Sequence, residues 1–416
     1  MQIVLRSSSR KAFWKSISLL SVLAYTGIVL RDYVAYRLAD SQSIHAMEQA
    51  VTLDPSNADY RNRLGEYFMF SEQRPDLAIP QYESAVTLNA HAAAYWLDLA
   101  NALASTGASD QQERALERAL EVDPNTPWVS RQAAYAFLIR GDLQRSFKIF
   151  RLLLQTDPWQ MESTLQICWQ ATHNIDSMSD MLPPAPDVYL AFVKLLIGEG
   201  NTEGAETIWS RLVTLQQPFD PQLATPYIEN LFAQRDVGAA KKAWNELAHI
   251  DPDFRPYQPT ASNLVVNGGF EEKLLNMGFD WRYEDRPHVT LVTDVDQFHG
   301  GRRSLLVTFD GGAVVDSGLS QWIAVEPNTR YDFSAYVKAD NIYTADGPRF
   351  DIQDAYSKDS LLLTQEILGT TDWKNVGGSF KTGPNTGVVL LSVMRTPGAG
   401  LITGRLWIDD VVLMRE

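Results

Sequence analysis

Cysteine is almost absent from this chain of 416 residues, in which Cys168 is the single example. An intramolecular disulfide is therefore excluded, and so is a zinc site built on a pair of cysteines. Because the neighbours of Cys168 are apolar and follow a helical pattern, we expect a buried thiol rather than a nucleophile. The chain must take its stability from packed cores.

Catalytic sequence motifs are also missing. The chain contains no HExxH, no GxSxG and no phosphate-binding glycine loop, and its six histidines are scattered. Acidic clusters such as Asp280/Glu284/Asp285 and Asp294/Asp296 offer carboxylates for a glycosidase, but neighbouring acids in loops are usually solvated. We therefore predict that the protein is not an enzyme, and a polysaccharide-degrading enzyme is the least favoured alternative.

Basic residues are scarce outside the N-terminal segment. Residues 1–31 hold five basic residues and no acidic one, which leaves 31 basic and 51 acidic residues for the rest, a net charge of −20. A body with this charge repels phosphate groups. We therefore exclude nucleic acid as a partner.

One long hydrophobic run is present, Ser16–Leu30. With Phe13, Trp14 and Lys15 it reaches about 18 residues, just enough to span a bilayer. We expect residues 1–38 to form a basic cytoplasmic tip and a transmembrane signal anchor, because no small-x-small cleavage site follows the run. A cleaved signal peptide is the alternative. Either one places the body in the periplasm or outside, and the anchor makes the protein a single-pass protein of the inner, cytoplasmic membrane.

A repeated turn dominates the middle of the chain. The tract Ala-Val-Thr-Leu-Asp-Pro ends at Pro55, and related tracts end at positions 90, 124, 158, 218 and 252, at spacings of 35, 34, 34, 60 and 34 residues. A period of 34 with a closing proline is typical of stacked helical hairpins, which cannot bury their apolar faces singly. Proline closes five of these six tracts, and it has no N–H to continue a helix.

Each unit also places large and small residues at recurring positions, as Leu64, Gly65, Phe68 and Tyr82 do in the first. This pattern resembles the tetratricopeptide repeat family, although Ala90 replaces one proline, Ser130 stands where tryptophan is common and Trp159–Pro186 is a shortened unit. The resemblance implies an α-solenoid over residues 39–255 whose concave face binds a protein partner. The alternative is a spacer that holds the C-terminal domain away from the membrane.

The character of the sequence changes after residue 255. A proline-rich linker is expected at 256–262, and alternating runs bounded by Gly, Asn and Asp then predict a β-sandwich jelly roll over 263–416. The predicted strands are Ser304–Phe309, Tyr331–Lys338, Arg349–Asp354, Val388–Met394 and Leu406–Leu413. The predicted fold class is therefore multidomain, with a transmembrane helix, then an α-solenoid, then a β-sandwich.

Four blocks of this region carry a second resemblance. They are Asn263–Glu271 (NLVVNGGFE), His299-Gly300-Gly301 with Ser304-Leu305, Tyr331–Ala339 (YDFSAYVKA) and Leu406–Leu413 (LWIDDVVL). Their order and spacing are similar to carbohydrate-binding modules of families four, nine and twenty-two, which are galactose-binding-like jelly rolls. The resemblance implies a polysaccharide or oligosaccharide ligand. Related jelly rolls also serve as structural or protein-binding modules.

The resemblance implies a structural Ca²⁺ near the neighbouring first and last strands. Glu271 matches the acidic residue of the opening motif, and Asp409 and Asp410 match the closing one; such hard oxygen ligands suit calcium. The alternative is that Glu271 caps a turn while the two aspartates are solvated.

The resemblance also implies a sugar site on the outer face of one sheet. Strand alternation points Tyr336 outward in Tyr331–Lys338 and points Asp351 and Gln353 outward in the following strand. With Arg395, these residues are predicted to stack on a pyranose ring and bind its hydroxyls. Aromatic residues of a sandwich lie in the core more often than on such a platform. Further candidate aromatic residues are Trp281, Tyr283, Trp322 and Trp373.

These features together predict a non-enzymatic, membrane-anchored extracytoplasmic scaffold that binds a glycan and a protein partner. Its topology resembles that of accessory proteins of bacterial exopolysaccharide systems, and this resemblance implies a role in assembly or export of a cell-surface polysaccharide or exopolysaccharide. The alternative is a protein-assembly adaptor of the bacterial envelope whose jelly roll is purely structural.

Overall fold

A computed structural model describes residues 8–41, 43–398 and 400–416, in which fourteen α-helices precede ten β-strands. The predicted order of α then β is thus confirmed. Part of the predicted basic tip, residues 1–7, lies outside the described residues. The helices are α1 (Ser8–Ala39), α2 (Ile44–Leu53), α3 (Ala58–Glu66), α4 (Pro75–Leu88), α5 (Ala93–Ser105), α6 (Ser109–Val122), α7 (Pro127–Ile139), α8 (Leu143–Thr156), α9 (Met161–Thr172), α10 (Ile175–Met181), α11 (Pro186–Gly198), α12 (Thr202–Thr214), α13 (Thr225–Ala233) and α14 (Val237–Ile250).

Helix α1 contains the predicted membrane segment. Its stretch Ala12–Ala39 is long and apolar enough to cross a membrane, and its most apolar window is not buried in the protein. A signal sequence near an N-terminus has the same properties. The last turns of α1 differ from the rest, because Ala35 and Ala39 are buried in the helical core beside α2. The helical array therefore begins inside α1, upstream of the predicted boundary at residue 39.

The helices of the array pack in successive pairs, such as α3 with α4 and α5 with α6. A glycine permits one of these close approaches: a β-carbon on Gly65 of α3 would lie 2.7 Å from the Tyr82 ring of α4. Small residues do lie where helices touch, as the repeat pattern predicted.

The repeated turns end helices in the same way each time. Asp54, Asn89, Asp123, Asp157 and Asp251 follow α2, α4, α6, α8 and α14, and each donates its backbone N–H to the carbonyl four residues earlier. The turn expected near residue 218 is displaced, because α12 already ends at Thr214.

The chain divides into two compact units between Pro183 and Pro184. The first contains α1–α10, and the second contains α11–α14 together with the sandwich. The predicted linker is no free connection at its start, because Pro252–Tyr257 forms a 3₁₀ helix with Phe254 and Tyr257 buried. Trp244 Nε1 donates to the Tyr257 carbonyl at 2.7 Å. The proline content predicted a linker here, whereas burial of the Phe254 and Tyr257 side chains holds the start of this segment against the protein.

The sandwich consists of two antiparallel five-stranded sheets. Sheet A has the strand order β1-β4-β9-β6-β7 and sheet B has the order β2-β3-β10-β5-β8. The strands are β1 (Arg282–Tyr283), β2 (Val289–Asp294), β3 (Ser304–Asp310), β4 (Asp316–Ala324), β5 (Arg330–Tyr343), β6 (Arg349–Asp354), β7 (Ser360–Leu363), β8 (Gly369–Lys381), β9 (Val388–Met394) and β10 (Thr403–Arg415).

All five predicted strands are confirmed, and β6 and β9 have the predicted bounds. The core lies between the sheets and takes alternate residues from each, such as Phe333 from β5 and Phe350 from β6. The opening segment runs beside β10: the N–H of Leu264 donates to the carbonyl of Leu413, and that of Val411 to Gly268. The first and last segments of the domain are therefore neighbours, as expected.

Candidate functional site

The four residues predicted to form one sugar platform do not come together. Tyr336 lies on the outer face of sheet B, whereas Asp351 and Gln353 lie on the outer face of sheet A. Arg395 is buried between loops. The platform fails as a unit because β5 and β6, although consecutive in sequence, belong to different sheets.

Arg395 connects loops. It donates hydrogen bonds from its guanidinium to the carbonyls of Val314 at 2.6 Å, Asp346 at 2.7 Å and Gly400 at 3.0 Å, and to the Thr344 hydroxyl. Burial lowers the pKa of Arg395. With its donors used in this way and only 1% of its surface exposed, Arg395 is not placed to bind a sugar.

Asp351 and Gln353 form a small polar group on sheet A. Gln353 Nε2 donates to Asp351 Oδ2 at 2.5 Å, and the Ser360 hydroxyl donates to Asp351 Oδ1 at 2.6 Å. Asp351 is buried although it points away from the core. Its two carboxylate oxygens are therefore engaged by Gln353 of the same strand and by Ser360 of the neighbouring β7.

The same outer face carries Trp322 of β4, and helix α13 covers it. The Trp322 ring lies 4.9 Å from Phe232 of α13, and the guanidinium of Arg282 is 5.3 Å from the Trp322 ring centre. Arg282 in turn donates to both carboxylate oxygens of Glu229 on α13, at 3.0 and 2.8 Å. Helix α13 is thus attached to the β1 and β4 side of sheet A.

A second set of aromatic contacts extends this attachment. The Tyr356 hydroxyl donates to the Phe232 carbonyl at 3.1 Å, and Arg235 lies over the Tyr356 ring at 5.1 Å. Phe279 contacts both Phe232 and Trp244, at 5.0 and 5.8 Å between ring centres. No local sequence pattern links these residues, which explains why the sequence did not predict these contacts between the helices and the sandwich.

The outer face of sheet B carries a cluster of three rings, His299, Tyr336 and Trp373, here called the ring cluster. The imidazole of His299 stacks on Tyr336 with centres 3.6 Å apart and planes within 12°, and Trp373 lies 5.8 Å from His299. His299 Nδ1 forms a 2.6 Å hydrogen bond with Asp410 Oδ2. Of these rings, the sequence singled out Tyr336 and Trp373 but gave no role to His299.

A groove of about 420 Å³ adjoins the ring cluster on the same face, here called the polar groove. Two ion pairs lie in it: Lys338 Nζ is 3.4 Å from Asp372, and Arg405 Nη2 is 2.5 Å from Asp340. Trp407 is buried beneath Arg405, whose guanidinium lies 5.3 Å from its ring centre. Gln297 also lines the groove.

The three predicted calcium ligands lie around one loop, residues 299–303. Glu271 Oε1 accepts the N–H groups of Arg302 and Arg303 at 2.6 and 3.1 Å. Asp409 Oδ2 accepts those of His299 and Gly300 at 2.7 and 3.0 Å. Asp410 sits at an irregularity of β10 with φ +44°, which turns its carboxylate towards His299.

These carboxylates hold the loop by hydrogen bonds. Burial raises the pKa of Asp409. Within residues 8–41, 43–398 and 400–416, no group of three His, Cys, Asp or Glu side chains is arranged to hold a metal ion. Glu271 Oε1 and Asp409 Oδ2 are therefore engaged by N–H donors of this loop.

Two family models match parts of this chain. Residues 262–397 match the model described as "Carbohydrate binding domain", and residues 70–127 match the model described as "Tetratricopeptide repeat". Both resemblances are thereby confirmed. The matched segments are binding modules, of types that bind glycans and proteins respectively.

Individual proteins are similar to this chain at low sequence identity, as three examples show. The tRNA(Glu)-specific nuclease WapA of Bacillus subtilis subsp. natto is 26% identical over 162 residues, which is 37% of this chain and 7% of that protein. The CBM22-1 xylan-binding domain of Paenibacillus barcinonensis Xyn10C is 18% identical, covering 38% of this chain and 96% of that domain with a TM-score of 0.28. Pseudomonas aeruginosa pilF is 17% identical, covering 54% and 90% with a TM-score of 0.26.

Proposed function

We propose that this protein is a non-enzymatic, membrane-anchored scaffold whose sandwich binds a glycan and whose helical repeats bind a protein partner. The match of residues 262–397 to a carbohydrate-binding domain carries the proposal. The exposed polar and aromatic side chains on the sandwich support it, because sugars bind through ring stacking and hydroxyl hydrogen bonds.

The proposed location is the cytoplasmic membrane, with the body in the periplasm or extracytoplasmic space. The most apolar window of α1 is not buried in the protein, and basic residues precede the stretch Ala12–Ala39 in the sequence. A glycan-binding module held beside the membrane suits assembly or export of a cell-surface polysaccharide or exopolysaccharide.

The helical repeats offer a surface for the protein partner. A groove of about 440 Å³ between α5 and α6 is lined by the apolar side chains of Trp96, Leu99 and Leu103. Arg118 lies 5.8 Å from the Trp96 ring centre at its edge. An apolar floor with a charged rim suits an extended peptide.

Glycan binding is tested with the full chain in detergent micelles. Native gels containing xylan, β-glucan, galactan, polygalacturonate or alginate report binding as slowed migration. We expect retardation by at least one polysaccharide. Unchanged migration on all of them would overturn glycan binding.

Membrane topology is tested by thiol labelling of intact cells. Cys168 is buried, so the native protein is an unlabelled control. The double variant Cys168→Ala, Ser262→Cys places one exposed thiol before the sandwich. We expect a reagent that enters the periplasm but not the cytoplasm to label it, and labelling only after lysis would contradict the proposed topology.

A second candidate is an envelope-assembly adaptor with a purely structural sandwich. Helix α13 packs on Trp322 through Phe232, so this aromatic side chain has a structural role. This contact favours a structural sandwich. In this case no polysaccharide retards the chain, and Trp96→Ala abolishes capture of a cross-linked protein partner.

Calcium binding by Glu271, Asp409 and Asp410 stays a prediction. Thermal unfolding of the full chain in calcium and in EGTA tests it, with Asp410→Asn as the comparison. A bound calcium raises the unfolding temperature of the native chain more than that of Asp410→Asn. Equal curves in calcium and EGTA would contradict it.

A further inference from the structure

We propose that the glycan binds on the outer face of sheet B, in the polar groove beside the ring cluster, and that it is a neutral polysaccharide. This inference rests on the proposed function, in which the sandwich binds a glycan. The proposed site lies on the face opposite to Asp351 and Gln353. It keeps Tyr336 and Trp373 as candidates and adds His299, Lys338, Asp340 and Arg405.

Sheet A lacks a free aromatic platform. Among the described strands of this sheet, the aromatic residues are Tyr283, Trp322 and Phe350. Phe350 lies in the core, and Tyr283 pairs with the core residue Leu319, so Trp322 alone points to the outer face. Phe232 and Arg282 already occupy the Trp322 ring. A pyranose ring therefore finds no exposed ring on this face on which to stack.

Sheet B offers such a platform, and it is rigid. His299 is fixed by its stack on Tyr336, by its ring hydrogen bond to Asp410 and by the N–H that it donates to Asp409. Trp373 stands beside it on β8, the edge strand of the sheet, and is partly exposed. Groups that are held in place before binding lose little entropy when a ligand arrives.

The polar groove continues directly from this platform. Lys338 follows Tyr336 by two residues on β5, so both side chains point to the same face. Trp407 pairs with Lys338, and Asp409 pairs with Tyr336. Its volume of about 420 Å³ lies within the range of small-ligand sites. The arrangement places stacking rings and hydrogen-bonding groups side by side.

The charges of the groove select a neutral ligand. Its two cations, Lys338 and Arg405, are each paired with a carboxylate, Asp372 and Asp340. No net positive charge remains among these four groups to attract a uronate, while their N–H and oxygen atoms can bind sugar hydroxyls. A polysaccharide of uronic acids would also meet the nearby carboxylate of Asp410.

Two variants of the full chain in detergent micelles test the location. Trp373→Ala removes a partly exposed ring from the platform, and Gln353→Ala removes a polar side chain from sheet A as the matched control. Loss of one stacked ring is expected to weaken binding about threefold to tenfold. Gln353→Ala is expected to bind as the native chain does. Arg405→Gln serves as a second variant if Trp373→Ala does not fold, and it is also expected to weaken binding.

The probes are xylan, β-glucan and galactan as neutral polysaccharides, and polygalacturonate and alginate as acidic ones. We expect retardation by a neutral polysaccharide that persists when salt is raised from about 0.1 M to about 1 M, which shortens the Debye length from about 10 to about 3 Å. Stronger retardation by an acidic one would overturn the ligand class. Weakening by Gln353→Ala but not by Trp373→Ala or Arg405→Gln would overturn the location and leave the proposed function standing. If no polysaccharide retards the native chain, the proposed function fails together with this inference.

Discussion

Arg282 and Glu229 join the sandwich to the helical repeats by a bidentate ion pair, with nitrogen-oxygen distances of 3.0 and 2.8 Å. Arg282 lies on β1 and Glu229 on α13, so the pair connects secondary structures of different kinds within the second unit. The guanidinium also lies over the rings of Phe232 and Trp322, at 5.5 and 5.3 Å. It therefore contributes both a charged and a packing contact.

Removing this ion pair is expected to destabilise the second unit. Glu229→Ala leaves Arg282 partly buried without its partner, at a cost of about 1–2 kcal/mol in the free energy of unfolding. Urea unfolding followed by tryptophan fluorescence measures it. The matched control is Asp76→Ala, which breaks an exposed pair with Arg74 and should change stability by less than about 0.5 kcal/mol. Equal effects of the two variants would contradict a structural role for Arg282.

Gly278 is expected to tolerate no side chain. Its φ is +55°, and a β-carbon would lie 2.2 Å from the buried Trp244 ring. Gly278→Ala should therefore add an overlap cost of about 1–3 kcal/mol to the backbone strain. Gly107→Ala is the control, because Gly107 also has positive φ, +76°, but has open space around its Cα. Thermal unfolding should show a clearly larger loss for Gly278→Ala, and equal losses would exclude the overlap with Trp244.

The local parts of this fold were predictable from sequence, and the pairing of distant parts was not. Asp54 and Asp251 end helices where the repeat placed them, because capping and proline chemistry act within a few residues. Strand alternation correctly directed Tyr336 and Asp351 outward. It cannot tell to which sheet a strand belongs, since that depends on pairings far along the chain. For this reason the predicted platform combined residues of opposite faces.

The joint between helices and sandwich shows the same limit. Phe232 belongs to a helical repeat, and its partner Trp322 is on β4. The sequence offered Trp322 as a candidate aromatic residue of the sugar site, and only the tertiary structure brings it together with Phe232. His299 was placed in a motif of the carbohydrate-binding-module resemblance but not in a binding site, although β10 and β5 surround it with Asp410 and Tyr336.

Arg395 is expected to matter for folding rather than for direct contact with a sugar. Arg395→Met removes the donors to the carbonyls of Val314, Asp346 and Gly400, which should cost about 3–5 kcal/mol because buried acceptors lose their partners. Urea unfolding measures this loss. The glycan affinity of the fraction that remains folded should be unchanged. A stable variant with weakened glycan binding would instead support the role that the sequence predicted.

Asp280 is expected to make the stability of the second unit fall as pH rises. The side chain is fully buried, and burial raises its pKa to about 7 although the Leu275 N–H donates to it at 2.6 Å. In the unfolded chain an aspartate titrates near its ordinary value of about 4. The folded protein therefore holds one more proton than the unfolded chain between about pH 4 and pH 7. The contribution of Asp280 to the free energy of unfolding is fully present below this window and is lost as pH rises through it. The total loss is about 4 kcal/mol.

Asp280→Asn keeps the shape and removes the titrating proton, so this decrease should disappear from unfolding curves measured between about pH 4 and pH 8. Asp296→Asn is the control, because Asp296 is an exposed carboxylate, and its curves should keep the native decrease. Other carboxylates add pH dependence of their own, so the informative quantity is the difference in slope between Asp280→Asn and the native chain. A native slope that survives in Asp280→Asn would show that Asp280 is ionised in the folded protein at neutral pH. The hydrogen bonds that Asp280 receives from Leu275, Trp281 and Asn267 would then outweigh the effect of burial on its pKa.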